Sequence, residues 1–277
     1  MNANQIRCEN DIKIEQNLLD DILVKRVKEH VERLTEKGPI GVRRRLLSSS
    51  VRLSRSMSPA LHKMADHCIE KLGVDLPLEL YAYASPQFNA ACFKPEEGRL
   101  FVMFSSSLLE AFDENELMFV VGHEFGHHVY RHHEMPVGYI LNGKQRPSAN
   151  LALQIFAWTR YAEISADRAG AYCANDLEAV ARALFKLASG LTSNKIVSFN
   201  LTDFLKQLDE MQAADAIPGQ GAPMEDWFST HPFSPLRVKA LQFFHQSGLM
   251  QDGGMGKEEL ELHVQGLLGL MEPDYLE

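Results

Sequence analysis

The sequence predicts an α+β fold dominated by helix, on three observations. Apolar residues recur at helical spacing over long stretches at both ends of the chain. Between them lies a single section of short strand-like runs, from Leu78 to Phe104. Helices come first, then the small sheet, then more helices. The 277 residues, 45% of them hydrophobic and 23% charged, suit one large domain or a domain with helical additions.

From Asp11 to about Lys37 the apolar residues Ile14, Leu18, Ile22, Val27, Val31 and Leu34 recur every few positions. This predicts one amphipathic helix, stopped by "EKGPIG". The basic stretch "VRRRLLSSSVRLSR" (Val42 to Arg55) is expected to be a solvated face or a loop. A second helix opens at "SPALHKMADHCIEKLG", with Ser58 as N-cap, Pro59 in the first turn and Gly73 past the end. Strands are predicted at Leu78 to Ala84, Phe88 to Phe93 and Arg99 to Phe104, the last two joined by the turn-like "KPEEG". Asp113 and Glu116 form a capping box that starts a further helix, and Pro136 should end it near Glu134. "NGKQRPSAN" is loop, followed by a helix from about Leu151 to Ala174. Asn175 or Asp176 caps the next, which ends at Gly190. "DAIPGQGAP" is a flexible break, "SPLRVKALQFFHQSG" a late helix, and the tail one more.

Net charge is −9, from 37 acids against 28 bases. Nucleic acid and anionic membranes are therefore poor candidates for the main partner. Cys8, Cys68, Cys92 and Cys173 are scattered without a CxxC pair, which argues against a thiolate metal site or a disulfide framework. The first residues lack the apolar core of a signal peptide, and no apolar run approaches the ~18–20 residues of a membrane span. The expectation is a soluble, cytoplasmic chain.

Chemistry concentrates in "VVGHEFGHHVYRHH", Val120 to His133, which holds five of the eleven histidines. His123 and His127 stand at i and i+4, so both imidazoles project from one helix face and can reach a single ion. Glu124 lies about 100° further round. It can flank an ion without ligating it and take a proton from water. Gly126 costs about 1 kcal/mol of helix propensity relative to alanine, a cost that makes sense where another element must approach closely. A catalytic zinc takes three protein ligands. The candidate for the third is Glu163 in "RYAEISADRAGAY", on a helix rich in small residues that permit close packing. Asp167, one turn later, is placed to accept the second N–H of a ligand histidine. His128, His132 and His133 are expected to be solvated or packing residues, although His128 and His132 also share helical spacing and leave a second metal site open.

"HEFGH", the E-x-x-x-D of "EISAD" and "STHPFSPLRVKAL" together resemble the gluzincin zinc metallopeptidases of the HtpX and CAAX-prenyl-protease family. "FNAACFKPEEGRLFVMFSSSLL" resembles that family's Asn-Ala strand and the strand after it. The similarity runs from roughly Arg44 to Phe244. It implies a mainly helical metallopeptidase domain with a small sheet whose edge strand binds substrate. It also implies one Zn2+ per chain on His123, His127 and Glu163, with Glu124 as general base. His231 would assist the tetrahedral intermediate, Arg237 would order the site rather than react, and Asn89 and Ala90 would lie on the strand that pairs with substrate. The implied division is a helical extension over 1–42, the metallopeptidase domain over 43–248 and a helical tail over 249–277. Typical members carry several membrane-spanning helices and this chain shows none, so the expected substrates are peptides or unfolded proteins. Two rivals stay open: a metal-stabilised module that binds peptides without cutting them, and an enzyme whose terminal helices shield the cleft. Oligomeric state is not legible.

Overall fold

A computed structural model of the chain describes residues 2–36, 38, 41–192, 196–215 and 222–273. Helices α1 (Ala3–Ile6), α2 (Glu9–Asp20), α3 (Ile22–Glu36) and α4 (Val42–Ser49) precede strand β1 (Val51–Leu53) and helix α5 (Pro59–Leu72). Strands β2 (Leu78–Tyr83), β3 (Ala90–Glu96) and β4 (Arg99–Ser105) follow. Helices α6 (Ser106–Ala111) and α7 (Glu114–Val129), a 3₁₀ turn over His132–Glu134, α8 (Val137–Asn142) and α9 (Ala149–Ala174) come next. The chain continues through α10 (Leu177–Ser189), α11 (Leu201–Asp215), α12 (Met224–Trp227), α13 (Ser234–Gln246) and α14 (Lys257–Gly269).

The sheet has four strands in the order β1-β2-β4-β3. Its centre, β2 with β4, is parallel, and the two outer pairings are antiparallel. Side chains alternate along each strand. Leu80, Leu100, Val102 and Phe104 enter the main core with α5 and α7, whereas Tyr81 and Phe101 face α4. The predicted basic surface is therefore a short amphipathic helix. Val42 and Leu46 cover that second face, and Arg43 bonds the half-sheltered Glu79. Its three-residue partner strand β1 is too short to show an alternation in the sequence. The second predicted strand starts at Ala90 instead of Phe88 and runs on to Glu96, where Glu97 and Gly98 take positive φ and turn the chain.

Helices α7 and α9 pack antiparallel at the centre, and glycine makes this possible. A Cβ on Gly126 would stand 2.9 Å from both Ala166 Cα and Ala169 Cβ, and one on Gly170 would stand 2.5 Å from the Phe119 carbonyl oxygen. The close approach anticipated at Gly126 is thus a feature of the whole helix pair.

Two predicted helices end differently. The N-terminal one is broken at Asp21, whose extended backbone (ψ 137°) interrupts it and whose Oδ1 accepts from the Leu23 and Val24 amides. The apolar period continues across the break, so the pattern hides it; Lys37, the expected end, lies outside the described residues. The motif helix stops at Val129, before Glu134. The buried Tyr130 ring donates its hydroxyl to the Ala3 carbonyl, and Arg131 takes φ +58°, which turns the chain back under the helix. The expected break over "DAIPGQGAP" falls largely on residues 216–221, outside those described.

Both terminal segments are stitched to α9. The fully buried Arg168 donates to Glu261 Oε1 at 2.6 Å and to the Ile6 carbonyl at 3.4 Å. The Cys8 thiol and the Glu9 amide donate to Glu261 Oε2 at 3.1 and 3.3 Å. Among the described residues no helix is long and apolar enough to cross a membrane.

Candidate metal centre

The capping box predicted at the start of α7 is present: Asp113 and Glu116 exchange side-chain bonds with each other's backbone amides. Lys186 and Arg182 neutralise the buried Glu116. With its entry fixed, α7 delivers His123 and His127 to a cleft of about 380 Å³ that also holds Glu124, Glu163 and His231 and is floored by Ala90 to Cys92 of the edge strand β3.

One donor atom each from His123, His127 and Glu163 lie within 4.8 Å of one another. The two imidazole Nε2 atoms are 3.1 Å apart, and Glu163 Oε1 is 3.3 Å from that of His127. Glu163 Oε2 is buried and accepts no hydrogen bond, with His123 Nε2 at 3.7 Å and Arg237 Nη2 at 3.6 Å. Burial alone would raise the Glu163 carboxyl, but the neighbouring His127, His123 and His231 rings hold it well below the usual range. It is a carboxylate.

The outer nitrogens of both histidines are already engaged. His123 Nδ1 lies 2.9 Å from Asp167 Oδ1, where it donates, since the fully buried Asp167 is held ionised by two bonds from Arg237, at 2.8 and 2.6 Å. Burial opposes that ionisation, and the Arg237 charge, its bonds and the bond from His123 overcome it. His127 Nδ1 lies 2.9 Å from Nδ1 of His132. With its proton on Nδ1, His123 turns the lone pair of Nε2 toward Nε2 of His127, beside a carboxylate. Such a cluster attracts a cation, and N,N,O is a donor set that zinc accepts with a position to spare. The residues fit the ion.

Of the other residues singled out in the sequence, His231 is exposed at the cleft mouth, its Nε2 3.6 Å from Glu163 Oε1 and its Nδ1 2.9 Å from the Thr230 hydroxyl. Arg237 is buried and donates two hydrogen bonds to Asp167. Ala90 lines the cleft. Asn89 lies one residue before β3, its carbonyl accepting from the Ser105 amide and its side chain donating to the Tyr83 hydroxyl. His128 and His133 stack on each other 5.9 Å apart, away from the ligand pair.

His132 packs, one of the two roles expected for it, but it packs against a candidate ligand. It is 7% exposed and contacts His127 directly, while its Nε2 lies 3.1 Å from Asp11 of α2. On a continued helix it would sit about 140° round from His127; the turn at Arg131 brings it underneath. Sequence spacing could not signal this, because the contact depends on a left-handed residue and on a partner more than a hundred positions away.

Residues 56–244 match the model of peptidase family M48, which is more than half of the chain. The chain is 29% identical over 218 residues to the plastoglobule-localized metallopeptidase 48, chloroplastic, of Arabidopsis thaliana, covering 73% of this chain and 61% of that protein. It is 26% identical over 218 residues to a protease HtpX homolog of Helicobacter pylori strain J99, covering 66% of each. The chain thus spans somewhat less than two thirds of these relatives' own lengths. No solved structure matches. The matched span contains every cleft residue described above and leaves out Asp11 and Glu261.

Proposed function

The chain belongs to peptidase family M48, and on that premise we propose that it is a zinc-dependent endopeptidase acting on peptides or unfolded proteins. The observation that carries the reading is the convergence of the His123, His127 and Glu163 lone pairs beside Glu124, in a cleft floored by an edge strand. These three side chains would hold the ion. When bound, Zn2+ supplies Lewis acidity, lowering the pKa of water to about 7 and polarising the scissile carbonyl.

The rest is done by protein groups. The buried Glu124 takes a proton from the attacking water at its carboxylate and delivers it to the leaving amine. His231 Nδ1 lies 2.9 Å from the Thr230 hydroxyl; in the tautomer that accepts there, its Nε2–H donates to the carbonyl oxygen as negative charge develops. Asp167 and Arg237 fix the His123 ring and do not touch substrate. An extended substrate pairs with β3. The Asn89 carbonyl bonds the Ser105 amide, so strand alternation turns the peptide groups of Ala90 and Cys92 away from β4 and toward an incoming chain. Recognition through backbone groups makes side-chain selectivity loose.

The test is Glu124→Gln. The variant should bind Zn2+ stoichiometrically and lose cleavage of a denatured protein such as casein by at least about a hundredfold. Wild-type turnover in that variant would remove Glu124 from the chemistry. A wild-type chain that binds Zn2+ and peptide without turnover would instead be a binding module.

A further inference from the structure

We propose that Asp11 and His132 form a second orienting chain for the metal site, with the N-terminal helix α2 fixing the tautomer of His127. The proposal rests on the reading of His127 as a metal ligand, but the geometry beneath it stands on its own. Asp11 is fully buried, and each of its oxygens is surrounded by donors. Oδ1 accepts from Arg7 Nη2 at 3.0 Å and from Trp158 Nε1 at 3.0 Å. Oδ2 accepts from Arg7 Nε at 2.7 Å and from the Ser165 hydroxyl at 2.7 Å. The Ser165 oxygen itself accepts from the Cys8 amide, so its proton is committed to Asp11. The arginine and indole nitrogens have no acceptor capacity. Asp11 is therefore an acceptor only, and His132 Nε2, 3.1 Å from Oδ2, must be the donor.

One tautomer then fixes the next. A neutral His132 with its proton on Nε2 has a lone pair at Nδ1. His127 Nδ1, 2.9 Å away, must supply the hydrogen. That leaves His127 Nε2 unprotonated and directed at His123 Nε2 and Glu163. The edge-on contacts of His132 with His127 and with Trp158 hold the intervening ring in place. The arrangement mirrors Arg237–Asp167–His123, with two differences. An extra imidazole, His132, stands between carboxylate and ligand, and the second chain ends on a residue that lies outside the span matching the family model.

Asp11 and His132 are positioning residues, and their test needs readouts other than cleavage. The first is the histidine tautomers of the metal-free full chain, read by nitrogen NMR at a pH alkaline enough that both rings are neutral. His127 should carry its proton on Nδ1 and His132 on Nε2. The second is Zn2+ affinity by competition with a chromophoric chelator. His132→Ala should weaken Zn2+ binding about 10–100-fold. His132→Asn, whose amide oxygen can accept from His127 Nδ1, should recover most of that loss. Asp11→Asn should weaken binding about tenfold and mix the His132 tautomers. Folding of each variant is checked by circular dichroism; a packing role would lower stability without changing either readout. Wild-type Zn2+ affinity in a folded His132→Ala, or a proton on His127 Nε2 in the metal-free chain, overturns the proposal. If His127→Ala also binds Zn2+ like wild type, the ligand reading has failed, and the tautomers alone decide the orienting chain.

Discussion

His132 also carries the pH behaviour expected at the level of single residues. Burial is the main cause that holds its imidazole down to about 4. Burial and the neighbouring His128 bring His133 to about 4 as well. A histidine whose pKa is lower folded than unfolded takes up its proton first in the unfolded chain. The stability it contributes is whole above about pH 6.5 and drains away as pH falls toward 4, at up to about 1.4 kcal/mol per pH unit for His132. Thermal unfolding of the chelated chain between these limits should show this slope, and His132→Asn should flatten it; a parallel profile in the variant would move the cause elsewhere. At this scale His123, Glu124, His127 and Glu163 were legible, because each stands at a fixed offset on a regular helix. Asp11 and His132 were not, because their contact is made by a turn at Arg131 and by a helix more than a hundred positions earlier.

Between elements, the tightest constraint is the seam of α7 and α9. Replacing Gly126 with alanine should gain about 1 kcal/mol of helix propensity in an isolated helix. Here the added Cβ meets backbone at Ala166 and the Ala169 methyl group, both at 2.9 Å. Overpacking of that kind costs about 1–3 kcal/mol, so the variant should unfold at lower denaturant than wild type. Zn2+ affinity should fall too, since Glu163 reaches the histidines only across this seam. A variant more stable than the parent would contradict the close approach of the two helices. The seam was partly visible in the sequence, as a glycine in the motif and a run of small residues facing it. The break at Asp21, the helix α4 and the strand β1 were not, since an uninterrupted apolar period conceals a kink and eleven residues of helix and strand are too few to show a period.

For the whole molecule, the open question in the sequence was whether the terminal helices shield the cleft. The N-terminal segment packs against α9, where Arg168 and Glu261 tie it to α14, and it brings Asp11 to His132. Deleting residues 1–20 should therefore abolish casein cleavage and weaken Zn2+ binding; increased cleavage by the shortened chain would revive the shielding role. The order of helices and sheet, and so the α+β class, was legible from periodicity alone. What periodicity could not convey was that the two ends of the chain meet on one helix, because nothing local records a pairing such as Cys8 with Glu261.

The orienting pair Asp167–Arg237 has a consequence in time. Arg237 lies more than a hundred residues after His123, and a ribosome adds roughly 5–20 residues per second. For roughly ten seconds a nascent chain exposes "HEFGH" with Asp167 either absent or without its arginine. The chain cannot complete the proposed metal centre while still a short, unfolded peptide within reach of others like it, and synthesis itself acts as the delay.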